Sequence, residues 1–298
     1  MSTVSDHPTL STISRSSKRE PLVQPFLKWA GGKRQLLPAI RPLIPAKIKR
    51  YYEPFLGGGA VFLDKQPKNA VVNDFNSELI NCYLVIRDTP EELIAEAEKH
   101  TNTSEHFYEV RGMDRSPKFA LMTSVERAAR IVYLNKTCFN GLFRVNSQGQ
   151  LNVPFGHYKN PSIADPAVIR AVSRYLNASK TVFRNGDFAE AVHDAKQGDF
   201  VYFDPPYDPV SDTASFTGYS LNGFDRDEQH RLKALCDALT ERGVKLLLSN
   251  SDTAFIRDLY EGDRYTIGSV QARRNINSAG TGRGTVGEVL VTNYTVQP

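Results

Sequence analysis

The sequence predicts an α/β fold: an open sheet that binds a nucleotide-like ligand, finished by a terminal β-hairpin and interrupted by an inserted, mainly helical subdomain. Three observations carry this. Residues 51–55 read as a strand that runs through Leu56-Gly57-Gly58-Gly59 into an apolar helix. Two further apolar runs, residues 70–74 and 200–204, each end in an aspartate. Residues 263–272 and 287–296 alternate with a period of two, as hairpin strands do. A chain of 298 residues can bury the core of such a sheet and still hold an insertion.

Taken in order, residues 1–22 are rich in Ser and Thr, follow neither period, and are expected to form a disordered tail. Phe26-Leu27-Lys28-Trp29-Ala30-Gly31-Gly32-Lys33-Arg34 follows. Its Gly-Gly-Lys is not a phosphate loop, because Leu27 stands where that motif needs its first glycine and Arg34 where it needs Ser or Thr. Trp29, the single tryptophan, suits a loop that meets a ligand, or else the core. At residues 56–63 the glycines let the backbone approach a ligand, but Phe62 stands where a pyrophosphate fingerprint needs its third glycine. Asp74 closes the next strand, at the distance from the glycines where such folds hold ribose hydroxyls. A glycine turn and an acid without the fingerprint point to a nucleoside cofactor such as S-adenosyl-L-methionine.

Residues 77–87, 90–100 and 125–135 read as helices, and residues 136–159 as a polar, aromatic, glycine-punctuated loop. Residues 90–180 are expected to form the inserted recognition subdomain, with residues 23–89 and 181–298 as the catalytic domain. In the loop, Asn140, Arg144, Asn146, Gln150 and Asn152 have side chains that can read base edges, while Phe139 and Tyr158 can stack. Residues 181–183 form a strand and Gly186-Asp187 a turn. Residues 211–224, rich in Ser, Thr and Gly, suit a loop over the site. A helix at 226–242, a strand at 244–249 and a short helix at 252–260 precede the hairpin. Its basic, glycine-rich tip contains Arg273 and Arg274, a candidate phosphate clamp or an ordinary hairpin end.

Everything is organised around Asp204-Pro205-Pro206-Tyr207 at the end of the 200–203 strand. An acid at the carboxyl end of a strand is where open sheets put their chemistry. The chemistry suggested is methylation of an amino group conjugated to a ring, whose delocalised lone pair makes it a poor nucleophile. A carboxylate accepts one of its hydrogens and a fixed carbonyl the other. Proline removes competing N–H donors and fixes φ, leaving the Pro205 carbonyl to accept. Tyr207 supplies a flat face for the ring; its hydroxyl has no part in this reading.

Charge and cysteines bound the setting. The net charge of +4 is unevenly spread: residues 1–50 and residues 127–184 are each +8. Two basic stretches suit a polyanion-binding face. Three dispersed cysteines and six scattered histidines argue for a reducing compartment and no metal. No apolar run has membrane-spanning length, so a cytoplasmic protein, monomeric in solution, is expected.

The blocks at residues 26–33, 53–59, 73–74, 140–144, 152–158 and 204–207 together resemble the Dam-type DNA adenine N6-methyltransferases of the D12 class, in family order, from about residue 25 onwards. The resemblance implies a Rossmann-like methyltransferase sheet acting on double-stranded DNA. It implies that Trp29, Lys33, Gly57, Gly59, Asp74 and Asp204 line the S-adenosyl-L-methionine pocket, with Asp187 at the cofactor adenine. Asp204, Pro205, Pro206 and Tyr207 would hold a flipped adenine. Lys28, Leu142, Arg144, Pro154 and Tyr158 would read a GATC site, with Phe139 and Asn140 near the extruded base. The chain departs from the family at Phe139 and His157, where Tyr and Arg are common. The tetrapeptide alone also fits methylation of RNA, of another base or of a protein amide, and a catalytically silent DNA-binding homologue is a further alternative.

Overall fold

The computed structural model describes residues 19–29, 33–210, 224–273 and 285–295. A short helix α1 (Leu37–Ile40) precedes β1 (Tyr51–Glu53), and the glycine turn leads into α2 (Ala60–Lys65). Then come β2 (Asn69–Asp74) and α3 (Ser77–Asp88). Four helices, α4 (Pro90–Glu98), α5 (Ser104–Gly112), α6 (Ser124–Thr137) and α7 (Pro166–Ala178), stand between α3 and β3 (Lys180–Asn185). The chain continues through β4 (Phe200–Phe203), α8 (Arg226–Glu241), β5 (Lys245–Ser251), α9 (Ala254–Leu259), β6 (Thr266–Arg273) and β7 (Thr285–Thr292).

The described strands form one seven-stranded sheet in the order β3-β2-β1-β4-β5-β7-β6. The first five in this order are parallel; β7 is antiparallel to β5 and forms the expected hairpin with β6. The chain builds outwards from β1 to β3 and then crosses back to lay β4 beside β1. That reversal opens a crevice at the carboxyl ends of β1 and β4, the position where open sheets bind ligands. The glycine turn leaves β1 there and the Asp204 loop leaves β4.

The continuous apolar run of β4 is explained by its central place, since all four residues are buried from both faces. Successive residues divide between two cores. Tyr51, Phe200 and Tyr202 pack on one face with α3, α6 and α7, and Tyr52, Val201 and Phe203 on the other with α8 and α9. Helix starts are chemically marked. Thr123 and Glu126 form a reciprocal capping box on α6, and Asp165 caps α7 with Pro166 in its first turn.

The structure revises several expectations. Residues 19–22 are docked rather than part of a tail: Arg19 lies 2.6 Å from Asp64, and Glu20 and Gln66 exchange hydrogen bonds. Residues 1–18 lie outside the described residues. Helix α7 falls in the span read as inserted, yet Ser173 donates to the Arg87 carbonyl on α3 and Tyr175 to the Pro67 carbonyl just before β2. It belongs to the layer covering the sheet. Part of the basic stretch 127–184 is consumed internally: Arg127, Arg130, Arg170 and Arg184 pair with Glu78, Asp114, Glu91 and Asp194. Arg130 is only 2% exposed and also donates to the carbonyls of Val110 and Arg111, so it fastens α6 to α5 rather than facing a polyanion. Among the described residues no helix is long and apolar enough to cross a membrane, and no cluster of three His, Cys, Asp or Glu could hold a metal ion.

Candidate active site

The glycine turn is held shut from beneath. Asp74, at the end of β2, accepts the Gly57 N–H at Oδ2 (2.8 Å) and the Asn76 N–H at Oδ1 (2.9 Å). Burial raises its pKa, and the two backbone donors oppose that. Gly57 and Gly59 have φ of 48° and 65°, left-handed values that suit glycine. The space a side chain would need is already filled by protein. A Cβ at Gly57 would lie 2.9 Å from Trp29 Cδ1, and one at Gly59 would lie 2.5 Å from the Tyr83 hydroxyl. The glycines therefore admit Trp29 and Tyr83, a role that the sequence reading assigned to a ligand. Trp29 is stacked against Phe143 at 4.9 Å, so this indole joins the glycine turn to the loop at residues 136–159.

The loop after β4 is anchored residue by residue. Asp204 Oδ1 meets Lys33 Nζ and Ser249 Oγ, each at 2.9 Å. The Pro206 carbonyl accepts from Gln229 Nε2 (2.8 Å), and the Tyr207 hydroxyl donates to Glu288 Oε2 (2.6 Å). Asp208 is caught at its N–H by Asn250, at its carbonyl by Ser251 and at its carboxylate by Thr253 and Arg226. Two acceptors have no donor among the described residues: Asp204 Oδ2 and the Pro205 carbonyl. They are neighbours in sequence, at the carboxyl end of β4.

The electrostatics fit a carboxylate kept ready to accept. Burial raises the Asp204 pKa, while Lys33 and the Ser249 hydroxyl lower it. Lys33 is only 5% exposed and its ammonium also sits 4.3 Å from the centre of the Tyr207 ring. At the end of β1, Glu53 is buried and accepts from the Tyr51 hydroxyl; burial pushes its pKa well up.

Several of the residues expected to touch DNA are linked to one another. Asn135 on α6 accepts the Lys28 N–H (2.8 Å) and donates to the Lys28 carbonyl (2.7 Å) and to the Gly141 carbonyl (3.2 Å). The Lys28 ammonium lies 4.8 Å from the Tyr158 ring centre. The Phe139 N–H donates to the Pro154 carbonyl, and Leu142 N–H to the Phe139 carbonyl. Phe139 is 46% exposed, and Asn140 beside it has φ of 56°. Residues 144–152 fold as a small hairpin. Arg144 Nε donates to Asn152 Oδ1, while Asn146 Oδ1 takes the N–H groups of Gln148 and Gln150. Asn146 and Gln150 thus build the turn instead of pointing freely outwards, and Asn152 is a support for Arg144. Asp187 is bound by both terminal nitrogens of Arg231. Arg273 closes β6, whereas Arg274, Gly31, Gly32 and residues 211–223 lie outside the described residues.

A family model for D12 class N6 adenine-specific DNA methyltransferases matches residues 29–276. The chain belongs to this family. The Type II methyltransferase M1.LlaDCHI of Lactococcus lactis subsp. cremoris is 47% identical over 274 residues, covering 91% of this chain and 96% of that protein. Type II methyltransferase M.MjaIII of Methanocaldococcus jannaschii is 40% identical, covering 91% and 99%. The DNA adenine methylase of Escherichia coli K12 is 36% identical, covering 89% and 93%. The seven-stranded sheet is accordingly a Rossmann-like methyltransferase sheet, and this D12 enzyme methylates adenine in DNA at N6.

Membership implies a methyl donor of the S-adenosylmethionine type, and the crevice fits one. Each Asp74 oxygen keeps a lone pair for a further donor. Phe75 directly beyond it is 85% exposed, a ring without a core to enter. Buried Glu53 offers a carboxyl acceptor at the end of β1. The sequence reading missed Phe75, although an apolar residue between a strand-ending acid and the Asn76 helix cap was visible. Ser249, Gln229, Asn250, Glu288 and Asn135 carried no such signal, being ordinary polar residues far away in sequence.

Proposed function

We propose that this D12 enzyme transfers the methyl group of S-adenosyl-L-methionine to N6 of an adenine turned out of duplex DNA, within a GATC site. The observation that carries this is the pair of acceptors without a donor among the described residues, Asp204 Oδ2 and the Pro205 carbonyl, on a loop anchored at its neighbouring groups. An adenine amino group has two hydrogens, and its lone pair is delocalised into the ring. Accepting both hydrogens draws that lone pair out of conjugation and towards an electrophile, an effect that strengthens as charge develops on nitrogen. The bound cofactor supplies the electrophilic methyl group. Asp204 is also placed to take the proton that nitrogen sheds afterwards.

A target inside the helix is out of reach, so the base leaves the stack, and stacking on Tyr207 offsets part of the cost. Phe139 and Asn140 are suited to fill the gap. Lys28, held by Asn135 and lying against Tyr158, and Arg144, held by Asn152, are suited to read the flanking bases, and Arg273 and Arg274 to hold phosphates. Trp29, Lys33, Glu53, Asp74 and Phe75 would hold the cofactor.

The test is transfer of labelled methyl from S-adenosyl-L-methionine to a GATC duplex and to its single-base variants. The GATC duplex should be labelled preferentially, and Asp204→Ala should bind it yet fail to turn over. Asp204→Ala turnover within about tenfold of the parent would overturn the role of the carboxylate.

A further inference from the structure

The hydroxyl of Tyr207 has a partner that the stacking argument did not require. Its donor distance of 2.6 Å to Glu288 Oε2 is that of a charge-assisted hydrogen bond. Glu288 cannot easily follow a moving ring. It sits in the middle of β7, paired with Ser251 of β5 on one side and Val270 of β6 on the other. The Tyr207 backbone is fixed independently, because Gln229 holds the carbonyl before it and Asn250 the N–H after it. What these backbone bonds leave undetermined is the direction of the ring. The hydroxyl bond at its tip settles that direction, and the Lys33 ammonium occupies a face of the ring at 4.3 Å. Burial keeps the phenol protonated, so it stays a donor.

We infer that Glu288 is a positioning residue for methyl transfer: by accepting the Tyr207 hydroxyl it aims the ring so that its open face meets the extruded adenine. This rests on the reading of Tyr207 as the platform for the target base. The carboxylate touches neither the base nor the methyl group; it acts through Tyr207 alone. Aiming matters because a platform turned away from the base leaves the amino group misplaced from Asp204 Oδ2, and small misplacements of a reacting group are costly in rate.

The experiment is a double-mutant cycle on kcat, run on the full chain with GATC duplex and S-adenosyl-L-methionine. Glu288→Ala should lower kcat by roughly tenfold to a hundredfold while KM for DNA and the cofactor Kd stay within about twofold. Glu288→Gln, whose amide oxygen can still accept from the hydroxyl, should recover most of that loss. Tyr207→Phe removes the same bond from the other side. In the Tyr207→Phe background, Glu288→Ala should therefore cost little more. Losses that multiply across the cycle, or Glu288→Gln behaving like Glu288→Ala, would overturn the inference. Melting curves with each variant separate a misfolded β7 from a misaimed ring, and Glu288→Gln, nearly isosteric, keeps the test open if Glu288→Ala does not fold. Failure of the parent to methylate adenine, or full turnover by Asp204→Ala, would instead mark failure of the underlying reading.

Discussion

Lys33 Nζ and Asp204 Oδ1 lie 2.9 Å apart, an ion pair formed between the loop before α1 and the loop after β4. The lysine is 5% exposed and the aspartate side chain 21%, so neither charge is well hydrated and each depends on the other. The pair fixes one carboxylate oxygen, and the second has no donor among the described residues.

The first prediction follows from that pair. Burial raises the Asp204 pKa and Lys33 lowers it, so Lys33→Ala should let it rise further. Transfer needs the ionised carboxylate. The acid limb of the kcat/KM profile should therefore move to higher pH in Lys33→Ala, with a lower plateau. A limb at the parent position would show that Lys33 does not tune Asp204.

Glu53 should trade stability for function. Its folded pKa is raised well above the ordinary carboxylate value by burial. A group raised in this way favours the fold at low pH, where it is protonated in both states, and that contribution is lost as pH rises towards the folded pKa. At neutral pH the parent bears the cost of burying this charge, and Glu53→Gln does not. Glu53→Gln should melt higher than the parent at pH 7, with the gap closing below about pH 4, while cofactor affinity falls. Equal melting curves at pH 7 would contradict the assignment.

Gly59→Ala should be harmful for two separable reasons. The left-handed φ of 65° costs roughly 1–2 kcal/mol for a residue with a Cβ, and that Cβ would lie 2.5 Å from the Tyr83 hydroxyl. Adding Tyr83→Phe should restore part of the lost stability by removing the clash, leaving the backbone cost. If the second substitution restores nothing in denaturant melts, the hydroxyl is not what excludes a side chain.

Asn135→Ala should loosen the joint between the segment carrying Lys28 and the turn at Phe139–Gly141. Its amide is buried and spans the Lys28 backbone in both directions, so its loss should cost about 1–3 kcal/mol. Discrimination between GATC and single-base variants should weaken more than affinity for either. Unchanged discrimination would separate Lys28 from base reading.

Much of the sheet was legible because each strand is short, apolar and closed by a chemically distinct residue. Phe200–Phe203 followed by Asp204-Pro205-Pro206-Tyr207 announces both an element and its function. Asp74 stood out as the acid closing a strand, and the structure bonds it to the glycine turn itself. Helix α7 left a signal that went unread: Asp165-Pro166 is a helix start, and Val168, Ile169, Val172 and Leu176 recur at helical spacing. The long surrounding span of polar sequence hid it. Charge could not say which arginines face outwards, since one facing phosphate looks the same in sequence as Arg130, which meets the Asp114 carboxylate. The anchors of the catalytic loop were beyond reach altogether. Nothing about Gln229, Asn250 or Glu288 marks them until the strands are in register.

The Tyr207 ring is gripped by residues from the two ends of the described chain, Lys33 beneath it and Glu288 at its hydroxyl. A ribosome delivers these in turn, and the second arrives only when most of the protein has already emerged. The strands β1 to β5 can pair while β7 is still being made, so a nascent molecule can own a nearly finished sheet and no aimed tyrosine. Contacts so far apart in sequence also form late during refolding. A chain whose synthesis has not passed β7 lacks the contact at the Tyr207 hydroxyl, so it should transfer methyl groups more slowly than the finished enzyme.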